Sequence, residues 1–151
     1  MFNLTVPSPV INENELLHYR ICAMEVFRFD CRLIQNQIPL TGGECNCGLL
    51  KISSGGVSGW GEYVIPCTRE NIDLVRWAFV FAKLKGLSIA DAIRCVQTRD
   101  KAWGQARTNL AESALLDLAF KLRYPFTLQK DIASSLGSSL LIDRSQAYFS
   151  F

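Results

Sequence analysis

The sequence has little histidine, little net charge and no long apolar run. It contains one histidine, His18, and 16 basic against 14 acidic residues, for a formal net charge of +2. The basic residues are dispersed, whereas a nucleic-acid-binding protein needs a clustered basic face. No apolar stretch approaches the ~18 residues of a membrane-spanning helix, and residues 1–15 lack the pattern of a secretion signal. We therefore expect a cytoplasmic protein with no nucleic-acid partner and no membrane partner.

The cysteines do not have the spacing of a metal site. There are six of them: Cys22, Cys31, Cys45, Cys47, Cys67 and Cys95. In a cytosolic protein they are expected to be reduced thiols. Cys45 and Cys47 would share one face of a strand, but a metal would need two further ligands and there is no CxxC pair. Core or half-buried thiols are the favoured interpretation, and a metal or redox role is the alternative.

The first half of the chain reads as strands. Apolar residues at alternate positions predict a half-buried first strand with one face inward, formed by Ile21, Ala23, Phe27, Phe29, Cys31 and Leu33. Glu25 interrupts this face, which indicates a bulge or an edge position. A second strand is expected at about 45–53, and Gly55-Gly56 predict a tight hairpin into a third. The last residues, 146–151, are compatible with one more extended segment.

The second half reads as helices. Thr68 is the expected N-cap of a first helix that Gly86 ends. Its inward stripe is predicted to contain Ile72, Val75, Phe79 and Ala82, widened by Leu74, Ala78 and Phe81. Ser88 is expected to cap a short second helix. A third helix is predicted from apolar residues at four-residue intervals, namely Ala106, Leu110, Ala114, Leu118 and Leu122. The predicted fold is therefore α+β, a three-stranded antiparallel β-meander followed by a bundle of about three α-helices.

The residues that could carry chemistry have simpler structural interpretations. Asp117, on the third helix, is expected to form a cap or salt bridge that holds the domain together. A structural role is also favoured for Glu62, with pairing to another domain as the alternative. His18 has no obvious acidic partner. The tryptophans are expected to pack in or near the core (Trp60, Trp77 and Trp103). Because no nucleophile–base pair, metal set or carboxylate dyad stands out, this chain alone is not expected to be an enzyme.

Two segments resemble the mandelate racemase/muconate lactonizing enzyme group of the enolase superfamily. Gly59-Trp60-Gly61-Glu62 is similar to the "GwGE" strand turn of that group, and residues 109–121 are similar to its "ieaAlwDlkgK" helix. The chain departs from the family at two places. Leu116 stands where the family's helix has tryptophan, and residues 128–132 replace the family's leucine-leucine-glycine turn. The resemblance covers about 21–132 and implies an enolase N-terminal domain-like capping domain.

The resemblance also implies a division of labour. It predicts an arm at 1–18, the capping domain at 19–132 and a tail at 133–151. In the family a following barrel carries the acid/base lysines and three carboxylates that hold magnesium. None of these positions maps onto this sequence, and the resemblance therefore leads us to expect a truncated form without the barrel. Hence no cofactor is expected in this chain, magnesium belongs to the barrel, and isomerase-like chemistry would require that barrel.

The family further implies a role for two loops of the capping domain, which close over the mouth of the barrel. They map to about 36–44 and 65–68, with these lid candidates: Ile38, Pro39, Leu40, Thr41, Ile65, Pro66 and Cys67. The expected function is a substrate-specificity module that acts with a separate barrel. The alternative is a stand-alone interaction protein, a homo-oligomer or a regulator, that reuses the barrel-docking surface. Its interaction candidates are the aromatic residues near the C-terminus, Tyr148, Phe149 and Phe151.

Overall fold

Strands and helices alternate little along this chain, and they segregate into a sheet and a helical layer. A computed structural model describes residues 16–30, 45–66, 73–124 and 147–151. The strands are β1 (Ala23–Asp30), β2 (Cys45–Ser54), β3 (Val57–Pro66) and β4 (Ala147–Ser150). They form one antiparallel sheet in the order β3-β2-β1-β4. The α+β class predicted from the sequence is confirmed.

The sheet has four strands where the sequence analysis predicts three. The extended segment near the C-terminus pairs with β1, so that Val26 lies opposite Phe149 and Phe27 opposite Tyr148. Met24 and Phe151 exchange two backbone hydrogen bonds of 2.9 and 3.0 Å beyond the end of β4. Without β4, β1 would present a row of unpaired peptide groups at the sheet edge, which is costly. The short aromatic segment removes that edge.

The hairpin between β2 and β3 forms as the sequence predicts. Gly55 and Gly56 both have positive φ, 57° and 78°. Two successive residues of this kind make the type I′ turn whose twist matches that of the flanking strands. The turn sets the register of the whole β2–β3 pair, from Ser54 opposite Val57 to Cys45 opposite Pro66.

The helical layer lies between β3 and β4 in sequence. It contains α1 (Leu74–Ala78), a 3-10 helix (Phe79–Leu84), α2 (Ile89–Thr98), α3 (Asp100–Trp103) and α4 (Gln105–Arg123). The Ser88 hydroxyl accepts a hydrogen bond of 3.1 Å from the Asp91 amide and caps α2, as predicted. Gly86, at φ 84°, turns the chain after the 3-10 helix, and its amide bonds the Ile21 carbonyl at 2.9 Å.

The first helix differs from its prediction in cap and in buried face. Asp73 is the N-cap of α1, accepting from the amides of Val75 and Arg76 at 3.1 and 3.3 Å; Thr68 lies outside the described residues. Leu74, Ala78 and Phe81 of the predicted stripe are buried together with Leu84, whereas Val75 and Phe79 are 46% and 66% exposed. The buried positions from Ala78 onward follow at intervals of three residues, as the 3-10 helix over Phe79–Leu84 requires.

The core fills the space between the helices and one face of the sheet, here called the inner face. Met24 and Val26 of β1 point into it with Leu50 and Ile52 of β2. The alternation of apolar residues predicts that Phe27 and Phe29 face inward. That prediction is wrong, because their side chains lie on the opposite, outer face. Both faces of β1 carry apolar residues, so the alternation alone does not identify the inner one.

Helix α4 packs directly on β3 because two glycines allow it. A Cβ atom on Gly59 would fall inside contact distance of the Ala114 carbonyl oxygen and 2.5 Å from the Leu118 Cβ. A Cβ atom on Gly61 would lie 2.7 Å from the Leu110 carbonyl oxygen. The helix backbone therefore occupies the space that side chains would take, and only glycine permits this approach.

Candidate functional site

Three strand ends meet at one end of the sheet, here called the lid end. Cys45 lies opposite Pro66 in the β2–β3 pair, and Asp30 lies opposite Asn46 in the β1–β2 pair. The chain therefore enters β2 and leaves β3 at the same place, which is where both predicted lid segments attach. Ile65 and Pro66 form the last two positions of β3. The remaining lid candidates lie outside the described residues, namely Ile38, Pro39, Leu40, Thr41 and Cys67.

The outer face of the sheet carries a second cluster of large side chains, here called the outer-face cluster. Its centre is Phe27, which has no exposed surface. The centroid of its ring lies 5.1 Å from that of Tyr148, 6.1 Å from that of Trp60 and 6.3 Å from that of Phe29. Ring pairs at these separations stabilise each other beyond the area that they bury. The outer face thus has a packed aromatic centre of its own.

A polar network borders the aromatic rings and belongs to the same cluster. The Tyr148 hydroxyl donates a hydrogen bond of 2.7 Å to one Glu25 carboxylate oxygen. The Lys51 ammonium lies 2.9 Å from the other oxygen and 5.5 Å from the centroid of the Trp60 ring. Burial raises the pKa of Tyr148, and its hydrogen bond to Glu25 raises it further. Since Glu25 and Lys51 are paired with each other, this network stabilises the outer face of the sheet.

Two charged residues of α4, Asp117 and Lys121, contact backbone groups at the free edge of β3. One oxygen of the Asp117 carboxylate accepts a hydrogen bond of 2.9 Å from the Trp60 amide. The Lys121 ammonium lies 2.9 Å from the same oxygen and donates to the Ser58 carbonyl oxygen at 3.4 Å. Lys121 is 8% exposed, so its charge depends on this pairing. Of the cap or salt bridge expected for Asp117, the salt bridge is present within α4, and its hydrogen bond to Trp60 is what joins the helix to the sheet.

The other candidates are dispersed. Phe149 and Phe151 stack at 4.8 Å between ring centroids and pack against the core, while Tyr148 lies on the outer face at 37% exposure. His18 and Glu62 are exposed. The tryptophans pack as predicted: Trp103 is buried, Trp77 lies against the core, and Trp60 is half-buried on the outer face.

Sequence reasoning missed the Glu25–Lys51 pair. Glu25 was visible only as an interruption of the apolar alternation, from which a bulge or an edge position was predicted. The β1–β2 register is continuous, and Glu25 lies directly opposite Lys51. Glutamate and lysine opposite each other on antiparallel strands are a stabilising cross-strand pair. The charge of Glu25 in an apolar strand was the available signal. Lys51 could not be identified as its partner, because the register of β1 against β2 does not follow from the sequence alone.

Two further features concern metals and membranes. Among the described residues, no group of three His, Cys, Asp or Glu side chains could hold a metal ion. Cys22, Cys47 and Cys95 are present as thiols, and the buried Cys47 thiol donates a hydrogen bond of 3.5 Å to the Phe29 carbonyl oxygen. Within the same parts of the chain, no helix combines the length and the apolar character needed to cross a membrane.

Comparison with known proteins adds no assignment. No protein-family model, curated protein or solved structure matches this chain.

Proposed function

We propose that the chain is a capping domain of the mandelate racemase/muconate lactonizing type that helps to select a substrate and does not catalyse by itself. The barrel would come from another polypeptide or from another part of a longer one. The observation that carries this proposal is the lid end of the sheet. Two segments that the resemblance marks as lids attach there side by side, at Cys45 and Pro66. Paired attachment lets both segments close over one site, where excluding water strengthens electrostatic interactions.

The packing of the two family-like segments supports the same proposal. Gly59 and Gly61 come from the first segment, and they admit Ala114 and Leu118 of the second at backbone contact. Asp117 of the second segment then bonds the Trp60 amide of the first. The residues that match the family pattern thus include the glycines that let the helix approach the strand and the carboxylate that bonds the strand backbone. This contact between the two segments is what supports the proposal.

The rest of the proposal concerns setting and cofactor. Magnesium and the acid/base groups would belong to the barrel, and this chain would contribute apolar lid contacts. We also propose that the protein acts in the cytoplasm, a reducing compartment in which its six cysteines would remain thiols.

The test is assembly with a barrel. The chain is co-expressed with the barrel domain of a mandelate racemase/muconate lactonizing enzyme from which the original capping domain has been deleted. We expect the chain to increase the soluble yield of the barrel and to elute with it as a one-to-one complex, measured by light scattering after size exclusion. The deleted capping domain, supplied separately, is the positive control.

A surface variant serves as a negative control. Phe79→Ser changes a residue that is 66% exposed on the helical layer and should leave the complex intact. The proposal is contradicted if the original capping domain restores the barrel while this chain neither binds it nor raises its yield.

A second candidate function is self-association. The observation that favours it is an exposed apolar pair one turn apart on α4, where Leu116 is 43% and Phe120 is 48% exposed. Such a pair on an exposed helix face can pack against a second copy around a two-fold axis. Light scattering at several concentrations would show a dimer that the Leu116→Ser, Phe120→Ser double variant dissociates. A monomer at all concentrations would exclude this candidate.

A further inference from the structure

The outer edge of β3 has a row of peptide groups that do not bond β2. In a two-residue hairpin the pair that flanks the turn is hydrogen-bonded, and bonded and non-bonded pairs then alternate along the strands. Ser54 opposite Val57 is the flanking pair. It follows that Ser58, Trp60, Glu62 and Val64 direct their N–H and C=O groups away from the sheet. Because β3 is an edge strand, these groups form a template on which another strand can pair.

Helix α4 occupies the first half of this edge. The Asp117 carboxylate accepts a hydrogen bond of 2.9 Å from the outward amide of Trp60. The Lys121 ammonium donates a hydrogen bond of 3.4 Å to the outward carbonyl oxygen of Ser58. The two side chains also pair with each other at 2.9 Å. An incoming strand would have to displace both charges, and each would then lose its partners in a half-buried place.

The second half of the edge is short. Within the part of the chain that the structure describes, the outward peptide groups of Glu62 and Val64 have no hydrogen-bond partner, and Val64 is 44% exposed. The next outward position is Pro66, which has no N–H to donate. Two residues between a charged pair and a proline are too few for a strand of ordinary length.

We propose that the Asp117–Lys121 pair keeps the β3 edge closed to strand addition by a second copy of this chain. The pair acts by occupying the backbone groups that the second copy would use. A second copy is the relevant partner, because it brings an identical edge at the same concentration and antiparallel pairing of two β3 strands is closed by a two-fold axis. This inference is independent of the proposed capping function, since it concerns only α4 and β3.

The test removes the pair and measures association. In the Asp117→Ala, Lys121→Ala double variant, the average mass from light scattering is expected to rise with concentration towards about twice that of the unaltered chain, the mass of a closed dimer. Amide hydrogen exchange at Glu62 and Val64 should slow as the mass rises, because new interstrand bonds protect these amides. Circular dichroism at the lowest concentration checks that the variant is folded. If it is not, Lys121→Met, which frees only the Ser58 carbonyl, replaces it, and a smaller rise in mass is expected.

A third substitution separates edge pairing from general stickiness. Val64→Lys places a charge on the outward edge, the device by which natural edge strands resist pairing. Added to the double variant, it should return the mass to that of the unaltered chain; alone, it should change nothing. The proposal is overturned if the double variant keeps the mass of the unaltered chain, or if it associates and Val64→Lys does not reverse the association.

Discussion

The two faces of the sheet are packed in different ways. On the inner face, small and aliphatic residues let α4 approach until its backbone touches Gly59 and Gly61. On the outer face, Phe27 is buried among aromatic rings and bordered by the Glu25–Lys51 pair. Where two backbones are in contact, no side-chain atom can be added, whereas packed aromatic rings tolerate small shifts but need the volume of the central residue. Substitutions that add atoms on the inner face, or that remove atoms on the outer face, should therefore destabilise the protein.

The largest effect is expected from adding atoms to the inner face. Gly59→Val would place side-chain atoms against the Ala114 carbonyl and Leu118, and neither backbone can move without separating helix from sheet. We expect a loss of about 4 kcal/mol of unfolding free energy, or no folded protein, measured by urea denaturation. Val64→Ala, at an exposed position of the same strand, is the control. If Gly59→Val were tolerated, the helix–sheet approach described here would be incorrect.

A slightly smaller effect is expected from removing atoms from the outer face. Phe27→Ala empties the centre of the outer-face cluster and should cost about 3 kcal/mol, as large-to-small substitutions in cores do. Phe79→Ala removes the same atoms from a residue that is 66% exposed and should change stability by less than about 0.5 kcal/mol. Equal, small losses for the two variants in denaturant titrations would mean that the outer face has no packed centre.

The smallest effect concerns pH. The pKa of Tyr148 is raised by burial and by Glu25, so the folded state disfavours the phenolate. The stability from this residue is fully present below pH 10, the ordinary pKa, and is lost as the pH rises through the higher folded value. Tyr148→Phe should remove this part of the alkaline loss, as seen in thermal unfolding between pH 8 and about 11. An unchanged profile in the variant would assign the alkaline loss to other groups.

Local signals in the sequence predicted much of the fold. Gly55-Gly56 specified the hairpin, Ser88 capped α2, and the four-residue repeat of Leu110, Ala114 and Leu118 placed the buried face of α4. Each depends on residues within about one turn of each other. Their conformation therefore follows from local sterics and hydrogen bonding.

Features that join distant residues were not predicted. The predicted inward face of β1 was wrong, because Phe27 and Phe29 make the outer face apolar as well. An extended segment was predicted at 146–151, but its pairing with β1 was not, because the two strands are far apart in sequence. The Asp117 salt bridge was expected, but its bond to the Trp60 amide, 57 positions away, was not. Of the lid candidates, Ile65 and Pro66 lie at the end of β3, and the lid role itself stays a prediction from the resemblance.

The pairing of β4 with β1 has a consequence for synthesis on the ribosome. Tyr148 and Glu25, which bond across these strands, are 123 positions apart. At elongation rates of about 5–20 residues per second, β1 therefore waits several seconds for its second neighbour. During that time its edge and the apolar surface around Phe27 are uncovered. Nascent chains of this protein should accordingly be substrates for ribosome-associated chaperones until the last strand emerges.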